Sequence, residues 1–282
     1  MDAAWRLEAP VGAKGGPARW AELLRREHAA RVNLPVKSRA DADAAVARAL
    51  ALADALGPRA DVCVHYALSH AYGGSAKAAL ARLRAAAAAL AAARGARLLL
   101  VSGGGARRAL DTAAALRALA AAPPPALPPL AVAFNPYFPA EADRATERAK
   151  LRAKLAAGLP IAEVYLQFGT EIGLLEEGLD FLERAAPQVR VLGSALVPDA
   201  RLLAGLRFRP WRGLYVGDEY LSGVPAAEAA LGRVLAVYKR RGVAPLFEGA
   251  TGVGGAGAAR WARLAHAAGC AGVIAHSGAH GV

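Results

Sequence analysis

Short apolar runs alternate with longer amphipathic stretches along the whole chain. Residues 31–36, 62–67, 97–101, 130–135, 162–168, 189–195 and 244–247 read as strands, each a brief aliphatic run bounded by polar or turn-forming residues. Several are apolar at successive positions, as in Leu98-Leu99-Leu100, the pattern of a parallel strand covered on both faces. Between them, residues 44–56, 76–93, 106–121, 141–157 and 228–241 set apolar side chains at helical i, i+3, i+4 spacing. A unit of one strand and one helix recurring every 30 or so residues predicts an α/β protein. Eight such units make a closed (β/α)8 TIM barrel of about 250 residues. The chain has 282, so one barrel domain over residues 1–282 is expected. Seven strands need an eighth, for which residues 5–8 at the front and 271–276 at the back both qualify. Pro123, Pro124, Pro125, Pro128 and Pro129 form a stiff connector into the strand at 130–135, not a domain linker, because the same unit continues on both sides.

Composition narrows the function classes. At 55% hydrophobic and 21% charged the chain has ample apolar surface for a core, which excludes disorder. The net charge of +12 raises the question of nucleic acid or an anionic membrane. The excess is mostly arginine, however, and no basic run is interleaved with aromatics as a base-stacking surface requires. Cys63 and Cys270 match no zinc or redox spacing, and His276 and His280 have no carboxylate beside them, so no metal is expected. No apolar run reaches the roughly 18 residues of a membrane span, and residues 1–10 lack a secretory apolar core. The reading is a cytoplasmic protein with a small-molecule substrate, without nucleic acid or membrane as partner, and with homo-oligomerisation left open.

In a parallel barrel the side chains at the C-terminal strand ends face a common mouth. That rule selects Glu8, Asn33, His65, Ser102, Asn135, Gln167, Ser194 and Glu248. Ser102-Gly103-Gly104-Gly105 offers bare backbone N–H groups suited to a phosphate or flavin, and equally makes a tight strand-to-helix turn. It is neither a Rossmann fingerprint nor a Walker loop, and the G-x-G-x-x-G spacing at 252–257 has no acidic residue after it to hold a ribose. His65, near the end of an apolar strand, suits either donation to a flavin ring or its substituents or a hydrogen-bonded core position. Gln167 offers a donor and an acceptor together, which fits the paired N–H and C=O edge of a heterocycle or a tie between two loops.

With these residues in view, the chain resembles the methylenetetrahydrofolate reductase family of flavin-binding barrels. The block from Glu147 through Leu151, Lys154 and Gly158 to Val164-Tyr165-Leu166-Gln167-Phe168 is similar to that family's acid, Leu-x-x-Lys-x-x-Ala-Gly, and strand ending in Thr-Gln-Phe. The resemblance implies that Gln167 contacts the pterin and that Glu147 and Lys154 touch the flavin nucleotide. Val64-His65-Tyr66-Ala67 is similar to the family's Pro-His-Leu-Thr, which implies His65 beside the flavin. Leu7-Glu8-Ala9-Pro10 is similar to the end of its first strand, which makes Glu8 the proton donor.

Two departures stand out. Ser102-Gly103-Gly104 replaces Arg-Gly-Asp and so lacks a carboxylate, and Asn135-Pro136 replaces Tyr-Pro and so lacks an aromatic wall. Residues 249–282 lie outside the resemblance. It implies an FAD-dependent oxidoreductase that takes hydride from NAD(P)H and reduces 5,10-methylenetetrahydrofolate to 5-methyltetrahydrofolate. Glu8 is then the acid, Gln167 holds the reduced folate, and His65, Ser102, Gly103, Gly104, Asn135, Glu147 and Lys154 line the FAD site. A barrel that binds folate or flavin without reducing, or another barrel enzyme, are the alternative expectations.

Overall fold

Seven aliphatic runs and one short segment, Arg6-Leu7-Glu8, form the wall. The computed structural model describes residues 5–9, 16–26, 31–36, 38–69, 75–103, 110–249 and 263–264. Its strands are β1 (Arg6–Glu8), β2 (Arg31–Pro35), β3 (Asp61–Ala67), β4 (Ala96–Val101), β5 (Leu130–Phe134), β6 (Ile161–Leu166), β7 (Arg190–Leu196) and β8 (Ala244–Glu248), all parallel and in chain order around a closed barrel. Closure is made by β1, whose Leu7 pairs with Val32 of β2 on one side and Phe247 of β8 on the other. Of the two eighth-strand candidates, the segment 5–8 therefore supplies it, while 271–276 lies outside the described residues. Glu8 is part of the wall.

Helices α1 (Gly16–Arg26), α2 (Arg39–Leu56), α3 (Ala76–Ala92), α4 (Thr112–Ala121), α5 (Glu141–Leu155), α6 (Ile172–Ala185), α7 (Ala200–Phe208), α8 (Asp218–Ser222) and α9 (Val224–Arg241) accompany the strands. Capping sets several starts. Ser38 accepts from the Asp41 N–H at 3.1 Å, so α2 begins before residue 44, where apolar periodicity first appears. Ser75, Asp111 and Asp199 cap α3, α4 and α7 in the same way. Helix α4 begins at Thr112, later than the expected 106, and residues 104–109 lie outside the described ones. Helix α6 was not expected because Gly173 and Gly178 lower its helical propensity. Gly178 is needed there, since a Cβ would collide with the ring of Pro136.

Strand alternation produces two apolar layers. Val32, Val64, Leu98, Val132 and Val164 point outward into the large core beneath the helices. Cys63, Leu99, Ala131, Tyr165, Leu192, Ala244 and Leu246 point inward and form a separate cluster within the barrel. Helix α3 reaches the outer layer through Ala79, Leu83, Ala86, Ala87 and Leu90, where small residues allow close approach. No helix among the described residues is long and apolar enough to cross a membrane.

Candidate functional site

The site stands on an ionic floor. At the N-terminal strand ends, where a barrel carries stability instead of chemistry, Arg6 of β1 is completely buried. Its Nη1 lies 2.8 Å from Asp61 Oδ1, its Nη2 donates to the carbonyls of Val32 (3.2 Å) and Asp61 (3.0 Å), and its Nε donates to Asn33 Oδ1. Arg97 continues the lattice to Asp61 at 2.7 Å and to Glu163 at 3.3 Å, and Arg190 reaches Glu163 at 3.4 Å. Tyr165 donates its hydroxyl to the other Glu163 oxygen at 3.1 Å. Burial opposes the Arg6 charge, but its surroundings, the Asp61 and Glu163 carboxylates among them, more than restore it and keep the guanidinium protonated. Burial likewise works against the Asp61 carboxylate, yet Arg6 and Arg97 hold it below the ordinary carboxylate range. The Cys63 thiol, enclosed in the barrel, is pushed up to about 12 by burial, which leaves it unreactive as a nucleophile.

Above the floor the polar groups lead to the mouth. Asn33 Nδ2 lies 2.6 Å from His65 Nε2, and the His65 ring meets Tyr165 edge to face at 5.9 Å. Glu8 pairs in register with Asn33 and is buried. The β1–β8 register, Arg6 to Leu246 and Leu7 to Phe247, brings Glu8 alongside Glu248 at the next step. The Glu248 carboxylate accepts from Ser194 Oγ at 2.7 Å. Gln167, two residues beyond the inward-facing Tyr165, is exposed at the mouth, and its Oε1 accepts the Phe168 N–H at 3.0 Å. Phe168 turns outward and is buried against Tyr220, with ring centroids 5.4 Å apart. Glu8, His65 and Gln167 thus share one mouth with Asn33, Ser194 and Glu248, and none of these six side chains is a lysine or arginine.

The other expected site residues are held by the chain itself. Asn135 accepts the Tyr137 N–H at 3.1 Å and donates to the Gly213 carbonyl at 2.8 Å, which ends β5 at Phe134. Ser102 Oγ accepts the first N–H of α4, from Thr112, at 3.2 Å and lies 2.9 Å from the Thr112 hydroxyl. Gly103 has φ +75°, and a Cβ there would strike Ser69, so this glycine makes room for protein. Gly104 lies outside the described residues. Lys154 projects from α5 toward the sheet, donates to the Ala133 carbonyl at 2.7 Å and stands 3.8 Å from Glu147. Burial pushes the Lys154 ammonium down, with Glu147 opposing that shift.

A roof crosses part of the mouth. The segment between α7 and α8 returns over β5 and β6, where Tyr215 bridges Gly169, the Thr170 N–H donates to the Tyr215 carbonyl at 3.2 Å, and Thr170 Oγ1 accepts the Gly217 N–H at 2.8 Å. Phe138 packs on Tyr215 at 5.3 Å.

No family model matches the chain, and no curated protein does. Among solved structures, it is similar to an uncharacterized protein from Clostridium thermocellum that binds two copies of 5-methyl-5,6,7,8-tetrahydrofolic acid, with a TM-score of 0.53 at 10% identity over 86% of this chain and 88% of that one. It is also similar to the catalytic domain of a hyperthermophilic chitinase from Pyrococcus furiosus, with a TM-score of 0.50 at 10% identity over 86% and 83%. The likeness is one of fold.

Sequence reasoning missed the floor, although its signal is visible. Arg31, Asp61 and Arg190 open their strands, with Arg6, Arg97 and Glu163 at or near the start of theirs. Charges of both signs at one level of a parallel barrel can neutralise one another inside it. Among the described residues no group of three histidines, cysteines or carboxylates is placed to hold a metal ion.

Proposed function

We propose that this barrel binds a reduced folate in its mouth, with Gln167 reading the pterin. The exposed Gln167 amide, in one mouth with the Glu8 and Glu248 carboxylates, carries the reading. A pterin edge presents N–H donors beside a carbonyl; carboxylates accept from the former, and an amide serves either. A mouth ringed by carboxylates and neutral polar groups suits a heterocycle of that kind. The fold likeness to a barrel that binds a methylated tetrahydrofolate supports the same ligand class.

The finer reading, an NAD(P)H-dependent reduction of 5,10-methylenetetrahydrofolate through FAD, rests on the block that ends at Gln167. FAD would supply hydride transfer, but four of the described residues expected to hold it do not fit that task. Asn135, Ser102 and Lys154 direct their polar atoms to Gly213, Thr112 and Ala133, and Gly103 packs on Ser69. No step through the flavin is therefore derived. Glu8 alone has a role in this reading that needs no cofactor: its carboxyl protonates the folate ring nitrogen that leaves as the imidazolidine opens.

Calorimetric titration of the purified full chain with 5-methyltetrahydrofolate tests the first reading, and a saturable one-to-one isotherm is expected. Absence of binding overturns it. The visible absorption spectrum tests the second, because a protein that takes up no FAD cannot carry out flavin-dependent reduction.

A further inference from the structure

A separate cavity lies on the outer helical layer. It has a volume of about 390 Å³ and is lined by Arg148, Arg152, Phe181, Arg184 and Ala185, from α5 and α6. Phe181 forms its apolar side, buried from solvent and covered by the guanidinium of Arg152 at 4.9 Å and that of Arg148 at 5.8 Å from the ring centroid. The three arginines are unequal. Arg148 is neutralised by Glu177 and by Glu141 at 3.5 Å. Arg152 and Arg184 have no carboxylate within ion-pair distance among the described residues.

The acids of α6 are already engaged. Glu177 turns toward α5, while Glu176, Asp180 and Glu183 turn toward Arg240 and Arg241 of α9. Two arginines without a carboxylate partner therefore line one concave space, one of them with its guanidinium over an aromatic ring. We propose that this cavity is a binding site for a phosphate dianion carried by a small organic molecule. A guanidinium fork meets phosphate oxygens through two parallel N–H donors, and two forks match a double negative charge. The cavity is larger than one phosphate group needs, which leaves room for an organic remainder. The site is distinct from the barrel mouth: Arg152 and Arg184 lie in the last turns of their helices, at the opposite end of the barrel.

Thermal unfolding of the full chain, followed with increasing inorganic phosphate, adenosine monophosphate or chloride at constant ionic strength, tests the proposal. Both phosphate compounds are expected to raise the melting temperature saturably and chloride is not, with the ester acting at lower concentration than free phosphate. Arg152→Gln with Arg184→Gln should raise the half-saturating concentration about tenfold or more, as loss of charge-assisted hydrogen bonds requires. Arg152→Lys with Arg184→Lys keeps the charge and removes the fork, so it should fall between the two. Equal shifts in wild type and the Gln pair, a chloride effect as large as the phosphate effect, or no shift at all would each overturn the site. If the Gln pair fails to fold, the Lys pair decides, and unchanged phosphate affinity in it is the overturning result. Phosphate stronger than the ester leaves no place for the organic part and overturns that half of the proposal.

Discussion

The side-chain amide of Asn33 lies 2.6 Å from Nε2 of His65. Because Asn33 Oδ1 accepts from Arg6, its NH2 must face the imidazole, and the His65 ring must accept at Nε2. Only the tautomer protonated at Nδ1 does so. The buried guanidinium of the floor thereby dictates, through one amide, which face of a mouth histidine carries hydrogen.

Arg6→Met should destabilise the barrel by about 3 to 5 kcal/mol, since it leaves the half-buried Asp61 carboxylate to Arg97 and strips the buried Asn33 amide and two carbonyls of their donor. Urea unfolding measures it. Arg6→Lys should recover little, because one ammonium on a flexible stem cannot serve Asn33, Val32 and Asp61 together.

Acid should act on the same lattice. Burial raises the Asp61 carboxyl, Arg6 and Arg97 lower it, and the net direction is down. Its folded value therefore lies below its unfolded one. The stability it contributes is complete above the unfolded value, near pH 4 or so, and disappears as pH falls through the folded value. Unfolding free energy measured against pH should drop over that window. Asp61→Asn should flatten the drop while lowering stability at neutral pH.

Gln167→Leu should weaken binding of 5-methyltetrahydrofolate about five- to a hundredfold, the equivalent of 1 to 3 kcal/mol for unpaired polar atoms. Gln167 is exposed, so the melting temperature should hardly change. Calorimetry beside thermal unfolding separates the two effects, and a large loss of stability with intact affinity would count against the pterin role.

Ser102→Ala should lower stability by about 0.5 to 2 kcal/mol through loss of an acceptor at the start of α4. Folate affinity should not change. Weaker ligand binding at unchanged stability would instead return Ser102 to the site.

The barrel was legible because its signals are local: aliphatic runs, helical spacing and the repeat of about 30 residues. Closure by Arg6–Glu8 was legible only as one of two choices, since a three-residue strand carries almost no periodicity. Glu8, His65 and Gln167 could be placed at the mouth because strand ends alone decide that. Asn135, Ser102 and Lys154 could not be assigned in the same way. Their partners, Gly213, Thr112 and Ala133, lie 78, 10 and 21 residues away, and two are backbone carbonyls that any sequence would provide. The charged strand starts are legible in retrospect, because their meaning depends on six strands reaching the same level.

The roof over β5 and β6 also bears on how stiff the mouth is. Asn135 to Gly213, Gly169 to Tyr215, and Thr170 to Tyr215 and Gly217 fasten the loops after β5 and β6 to the segment between α7 and α8 as one arch. Lifting any one of these loops means breaking its hydrogen bonds to another, so the three move most easily together. The rim of the mouth is therefore braced on the side of β5 and β6 by contacts between loops far apart in the chain.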